Sequence, residues 1–173
     1  MDVDPGSRRP AAGKTVIGWI EQVDLTDWGI RDLRAKVDTG ARTSALHVEN
    51  LVSGEDGSVQ FQVVVNRNRF EEQRVNVCAQ AVRWARVRSS SGEFTQRCFV
   101  RTRMRLGGVV REIEISLVSR EKMAYRMLLG RQALARHFLV DVSKRHALGR
   151  KPTADKKELD GENRNPEQTG SVV

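Results

Sequence analysis

Ala35-Lys-Val-Asp-Thr-Gly-Ala-Arg-Thr-Ser44 combines an alternating apolar strand with a sharp break. The strand candidate runs from Leu33 to Asp38, with Leu33, Ala35 and Val37 on one face, and Thr39-Gly40 ends it. Each residue of the break has a chemical use. Asp38 supplies a carboxylate. Gly40 leaves room for the main chain to approach that carboxylate and for its amide to donate to it, while the Thr39 hydroxyl can bond to an opposing loop. By itself the tripeptide reads better as an ordinary turn after a strand, so its meaning depends on the rest of the chain.

Outward from this stretch the dominant signal is period-two alternation. Val100, Thr102, Met104 and Leu106 fall on one face with Arg101, Arg103 and Arg105 on the other. Gly107-Gly108 then suits a tight turn, and Val109 to Leu117 returns with Val109, Ile113, Ile115 and Leu117 on one side. Further strands are expected at Val16 to Val23, Ala45 to Leu51, Val59 to Val65, Arg74 to Ala79 and Met127 to Leu129. Only Arg131 to Phe138 reads as helical. With no internal repeat, this pattern predicts an all-β closed barrel with one short C-terminal helix.

Composition bounds the rest. The 173 residues include 30 Lys or Arg against 22 Asp or Glu, a net charge of +8, with 39% hydrophobic and 5% aromatic residues. That suits one domain with its own core. Residues 1–14 and 150–173 are poor in core formers and are expected to be disordered tails, the second charged, flanking a folded domain at 15–149. The tails hold three basic residues against two acidic, and five against five, so nearly all the positive excess lies in the domain. No apolar run is long enough for a membrane span and the N-terminus carries no apolar secretory segment, so the expected compartment is the cytoplasm, without membrane partners. Cys78 and Cys98 are expected to be small buried hydrophobes, with a hairpin-spanning disulfide as the second reading.

Three motif searches disfavour other chemistries. Gly6 to Thr15 ends in Gly-Lys-Thr, but six residues separate its glycines where a phosphate loop needs four. His47, His137 and His146 match no His-Glu-x-x-His spacing, and there is no Gly-x-Ser-x-Gly elbow. No cofactor and no metal ligand is therefore assigned.

Met127-Leu-Leu-Gly-Arg131 lies about ninety residues beyond Asp38, an apolar strand ending in Gly-Arg ahead of a short helix. An apolar strand entering Asp-Thr-Gly-Ala, followed by this second element, is the order found in retroviral-type aspartic proteases. The chain resembles the retropepsin-like family known as ATP-dependent zinc proteases. The likeness rests on Ile17-Gly-Trp19, Ala35 to His47, Val87-Arg-Ser-Ser-Ser-Gly92, Arg101-Thr102, Leu106-Gly-Gly108 and Met127 to Arg131, and covers about residues 15 to 148. It implies a retropepsin-like barrel with Asp38 catalytic and Thr39 and Gly40 supporting it. Because that chemistry needs two carboxylates sharing a proton and this chain has one Asp-Thr-Gly, it also implies a homodimer with the site on its two-fold axis. Gly130 and Arg131 would buttress the loop. Ala41 and Arg42 would meet substrate, as would Arg88, Ser89 and Ser90 if Val87 to Arg97 forms a flap. The family name implies ATP and zinc, which the motifs do not support. In retroviral enzymes an aspartate stands where this chain has Arg42, so Arg131 needs a different partner.

Charge points toward the substrate. Arg83, Arg86, Arg88, Arg97, Arg101, Arg103 and Arg105 face a single local acid, Glu93, which favours an acidic partner over a merely solvated strand face. Members of the resembled family are associated with ATP-grasp ligases that add glutamates to protein C-termini, so the expected activity is a peptidase acting on acidic or glutamate-rich peptide ends. Competing readings are a catalytically weak dimeric peptide-binding module, a metal-dependent hydrolase built on His47, and a nucleic-acid binder. The last is disfavoured by the scarcity of stacking aromatics, Trp84, Phe94 and Phe99.

Overall fold

Alternation builds the longest ladder. β8 (Phe94–Leu106) and β9 (Val109–Val118) pair antiparallel from Leu106↔Val109 to Phe99↔Ser116, and Gly107 at φ 57° makes the turn between them. Val100, Thr102, Met104 and Leu106 are buried while the intervening arginines are exposed. The structure is a computed structural model and describes residues 13–67, 72–88, 92–119 and 125–149.

Nine strands share one sheet: β2 (Ile20–Leu25), β3 (Ile30–Val37), β10 (Met127–Leu129), β4 (Ser44–His47), β9, β8, β7 (Glu72–Arg88), β6 (Ser58–Arg67) and β5 (Glu49–Ser53), in that spatial order. A short β2–β8 pairing, Asp24↔Arg105 and Leu25↔Met104, closes the first six into a ring around Val23, Leu25, Leu46, Met104, Ile115 and Leu129. β7, β6 and β5 continue beyond the ring. β1 (Thr15–Gly18) pairs in parallel with β11 (Phe138–Asp141) as a separate two-stranded sheet. Among the described residues no helix is long and apolar enough to cross a membrane.

The all-β expectation with one short helix holds, and several boundaries move. The Val16 to Val23 run is two strands, broken at Trp19, whose N–H donates to the Lys144 carbonyl and whose own carbonyl accepts from Val37 N–H. Ala45 to Leu51 likewise divides between β4 and β5. β7 reaches Arg88, far beyond Ala79, because pairing with β8 holds its polar half. The helix covers only Arg131–Leu134: Ala135 turns extended, Arg136 sits at φ 73°, and Phe138 enters β11. Both cysteines are free thiols, and Cys78 is exposed, because alternation turns Val77 inward and Cys78 out. Burial pushes the Cys98 thiol up from its ordinary value. Apart from Gly13 and Lys14, the two expected tails lie outside the described residues.

Candidate active site

β10 is the wedge that assembles the site. It lies between β3, which it pairs in parallel (Leu129↔Val37), and β4, which it pairs antiparallel (Met127↔Leu46). The chain leaving β3 and the chain leaving β10 therefore emerge side by side. Asp38 N–H donates to the Leu129 carbonyl at 2.9 Å, so the strand geometry persists through Asp38 before Thr39-Gly40 turns away.

One carboxylate oxygen, Asp38 Oδ1, accepts the N–H groups of Gly40 and Ala41, each at 3.1 Å. A Cβ at Gly40 would come within 3.3 Å of that same oxygen, tighter than an ordinary contact, so glycine keeps the amide close to the carboxylate. The two amide donors hold the carboxylate against its own loop. The Thr39 hydroxyl makes no described hydrogen bond inside the chain.

Arg131 holds the loop from behind. Its guanidinium donates to the Thr39 carbonyl at 3.0 Å and the Gly40 carbonyl at 2.8 Å, and its main-chain N–H donates to the Ala41 carbonyl. These carbonyls are the partner that the absent aspartate at Arg42 left open. Arg42 itself is exposed, and its carbonyl accepts Gln132 N–H at 3.0 Å. Gly130 is required by space: a Cβ there would meet Thr43 main-chain atoms at 2.6 Å.

Sequence reasoning missed the inner support. Ser44 is buried, its hydroxyl accepts Gly130 N–H at 3.2 Å and its carbonyl accepts the Ser116 hydroxyl at 3.1 Å, which ties β4, β9 and the Gly-Arg turn together. Gln132 accepts from the Thr43 hydroxyl across the same junction. The signal available was a serine at the inward-facing start of an apolar strand.

The structure thus brings together Asp38, Thr39, Gly40, Ala41, Arg42, Gly130 and Arg131. Arg88 stands elsewhere, at the end of the β7–β8 hairpin, with its guanidinium 5.9 Å over the Phe94 ring and that of Arg86 at 4.7 Å. Ser89 and Ser90 lie outside the described residues. Thr95 to Arg97, next to the Arg88↔Phe94 end of the same hairpin, line a cleft of about 760 Å³ with Glu49, Asn50 and Ser119. The expected excess of unpaired arginines is corrected by neighbours that are distant in sequence. Arg83 pairs with Glu114 at 2.6 Å, Arg101 with Glu112 at 3.7 Å and Arg103 with Asp27 at 2.5 Å.

His47 is fully buried, 3.5 Å from Glu49, whose carboxyl is held below its ordinary value chiefly by a hydrogen bond from Arg74. Among the described residues no three His, Cys, Asp or Glu side chains converge well enough to hold a metal ion. The described donor set does not fit the zinc that the family name implied.

A closed β ring carrying one Asp-Thr-Gly loop, buttressed by a Gly-Arg turn, defines the retropepsin-like class. A family model described as RimB-like, retropepsin-like aspartic endopeptidase RimB, matches residues 16–151, and the chain belongs to this family. A protein from Desulfotalea psychrophila named "Probable alpha-L-glutamate ligase" is 34% identical over 138 residues, 79% of this chain and 30% of its own length. One of the same name from Shewanella pealeana is 34% identical over 154 residues, 86% of this chain and 33% of its own. The chain thus spans about a third of the length of the curated relatives it matches. The crystal structure of Lpg0085, a Legionella pneumophila protein of unknown function, superposes with a TM-score of 0.62 at 26% identity, covering 78% of this chain and 98% of that one.

Proposed function

We propose that the chain is an aspartic peptidase that works as a homodimer, with the Asp38 carboxylates of two copies facing each other across a two-fold axis. The observation that carries this reading is the Asp38 loop: one oxygen is fixed by the Gly40 and Ala41 amides, and the loop is braced by Arg131. Two such carboxylates close together cannot both stay ionised, so they share a proton. One then takes a proton from a water as it attacks the peptide carbonyl, and the other donates to the carbonyl oxygen. The unbonded Thr39 hydroxyl is available to the opposite loop. Ala41 and Arg42, on the same loop, adjoin the bound peptide, and Arg88, Ser89 and Ser90 are proposed to reach it from the hairpin.

The substrate class is acidic, glutamate-rich peptide. This draws on relatives whose name is that of a glutamate ligase and on the link to ATP-grasp ligases that the resemblance carries. Such a peptidase would process what the ligase extends. The test is mass-spectrometric cleavage of a peptide panel with glutamate-tailed members, using wild type and Asp38→Asn, from acid to neutral pH and with or without chelator. Cleavage lost only in Asp38→Asn supports the proposal. Equal cleavage by both proteins, or loss with chelator alone, overturns it.

A further inference from the structure

Two aromatic rings and three cations gather on the outer face of β3, just ahead of Asp38 in the chain, from parts of the sequence far apart. Trp19 lies between β1 and β2 and meets Tyr125, which precedes β10, edge to face at 6.4 Å. The Arg34 guanidinium lies 5.0 Å from the Tyr125 ring centre, and Lys36 Nζ is 5.9 Å from both rings. Arg145, from the segment after β11, lies 4.6 Å over Trp19. Arg34, Lys36 and Arg145 are exposed, and no ion pair to any of them is described.

Strand geometry ties this cluster to the catalytic loop. On β3, Leu33, Ala35 and Val37 point inward, so Arg34 and Lys36 share the outer face. Val37 N–H donates to Trp19 on one side and Asp38 N–H to Leu129 on the other, so the alternation runs on and Asp38 follows Lys36 on the same face. Successive residues on one strand face are about 7 Å apart, the spacing between alternate side chains of an extended peptide. Ring stacking fixes the cations while leaving guanidinium edges and ammonium protons open to an anion.

We propose that Arg34, Lys36 and Arg145, seated on Trp19 and Tyr125, form a carboxylate-binding subsite that holds a glutamate side chain of a peptide whose backbone passes Asp38. The subsite deepens the peptidase reading above and rests on it for the peptide's path. It assigns acid selectivity to β3, away from the β7–β8 arginines, several of which already have partners. A solvated basic face would bind any polyanion, whereas this arrangement favours carboxylates at peptide spacing.

The experiment measures binding of a labelled six-glutamate peptide, and of its all-glutamine counterpart, to Asp38→Asn protein, so that binding is read apart from cleavage. Arg34→Met/Lys36→Met is expected to weaken glutamate-peptide binding about tenfold or more, the cost of lost charge-assisted hydrogen bonds, and to collapse the preference over glutamine. Lys36→Arg should restore part of it. Melting temperatures report whether the variants are folded, and Arg145→Met alone tests the subsite from a different segment. Glutamate binding that is indifferent to both the double variant and Arg145→Met overturns the subsite, as does an oligonucleotide of equal charge that binds more tightly than the peptide. Cleavage by wild type without preference for glutamate removes the subsite and leaves the peptidase standing. Lys36-dependent binding without any cleavage removes the peptidase and leaves the subsite.

Discussion

Arg131 reaches back to the Gly40 carbonyl at 2.8 Å, so the turn that follows Asp38 is fixed by a side chain 91 residues further along. The same guanidinium also takes the Thr39 carbonyl. Because both acceptors are exposed, water replaces part of what Arg131 provides. Arg131→Met should cost about 1 kcal/mol of stability, a fall in Tm of about 3–5 °C by calorimetry, with a larger proportional loss of any Asp38-dependent cleavage.

Gly130 is fixed by space rather than by φ. Its missing side chain would strike the main chain of Thr43, which cannot swing aside as a side chain could. Gly130→Ala should therefore cost about 1–3 kcal/mol, read as a lower midpoint in urea. A variant as stable as wild type would show that the Thr43 segment yields.

Glu21 is almost wholly buried, and its Oε1 accepts Gly18 N–H at 2.7 Å and Ala147 N–H at 2.8 Å, pinning the segment after β11 to the start of β2. Glu21→Ala strands both donors, at a cost of about 2 kcal/mol. Amide exchange should accelerate at Gly18 and Ala147 before it does in β8.

Asp27 carries a pH signature. The Arg103 main-chain N–H, and then its guanidinium, hold the Asp27 carboxyl below its ordinary value of 3.8. A carboxyl depressed in the folded state stabilises above its unfolded value, and that contribution fades as pH falls through the lower folded one. Thermal melts of Asp27→Asn should lie below wild type at neutral pH, and the gap should close below about pH 4.

The elements that sequence reveals here are those with local signals. Val100 to Leu106, the glycine pair and Val109 to Leu117 alternate strongly enough to fix both strands and the turn, and Asp38 and Arg131 stand at the ends of short apolar runs. What escaped depends on partners far away. The apparent helix of Arg131 to Phe138 stops where Arg136 adopts a left-handed conformation, and Phe138 enters a strand because β1, over a hundred residues earlier, lies alongside. The arginines of this region look unpaired along the chain, yet Glu112 of β9 meets Arg101, Glu114 of β9 meets Arg83 of β7, and Asp27 meets Arg103 from the turn after β2. The Trp19–Tyr125 cluster draws on segments that no linear window spans.

The long reach from Thr39 to Arg131 also sets a clock on synthesis. Asp38 leaves the ribosome well before its brace, and the 92-residue step from Thr39 to Arg131 takes about 5–20 s to translate. Through that interval the nascent Asp-Thr-Gly segment has neither β10 beside it nor a guanidinium behind it. A chain interrupted anywhere in that interval carries the Asp38 loop without the side chain that shapes it.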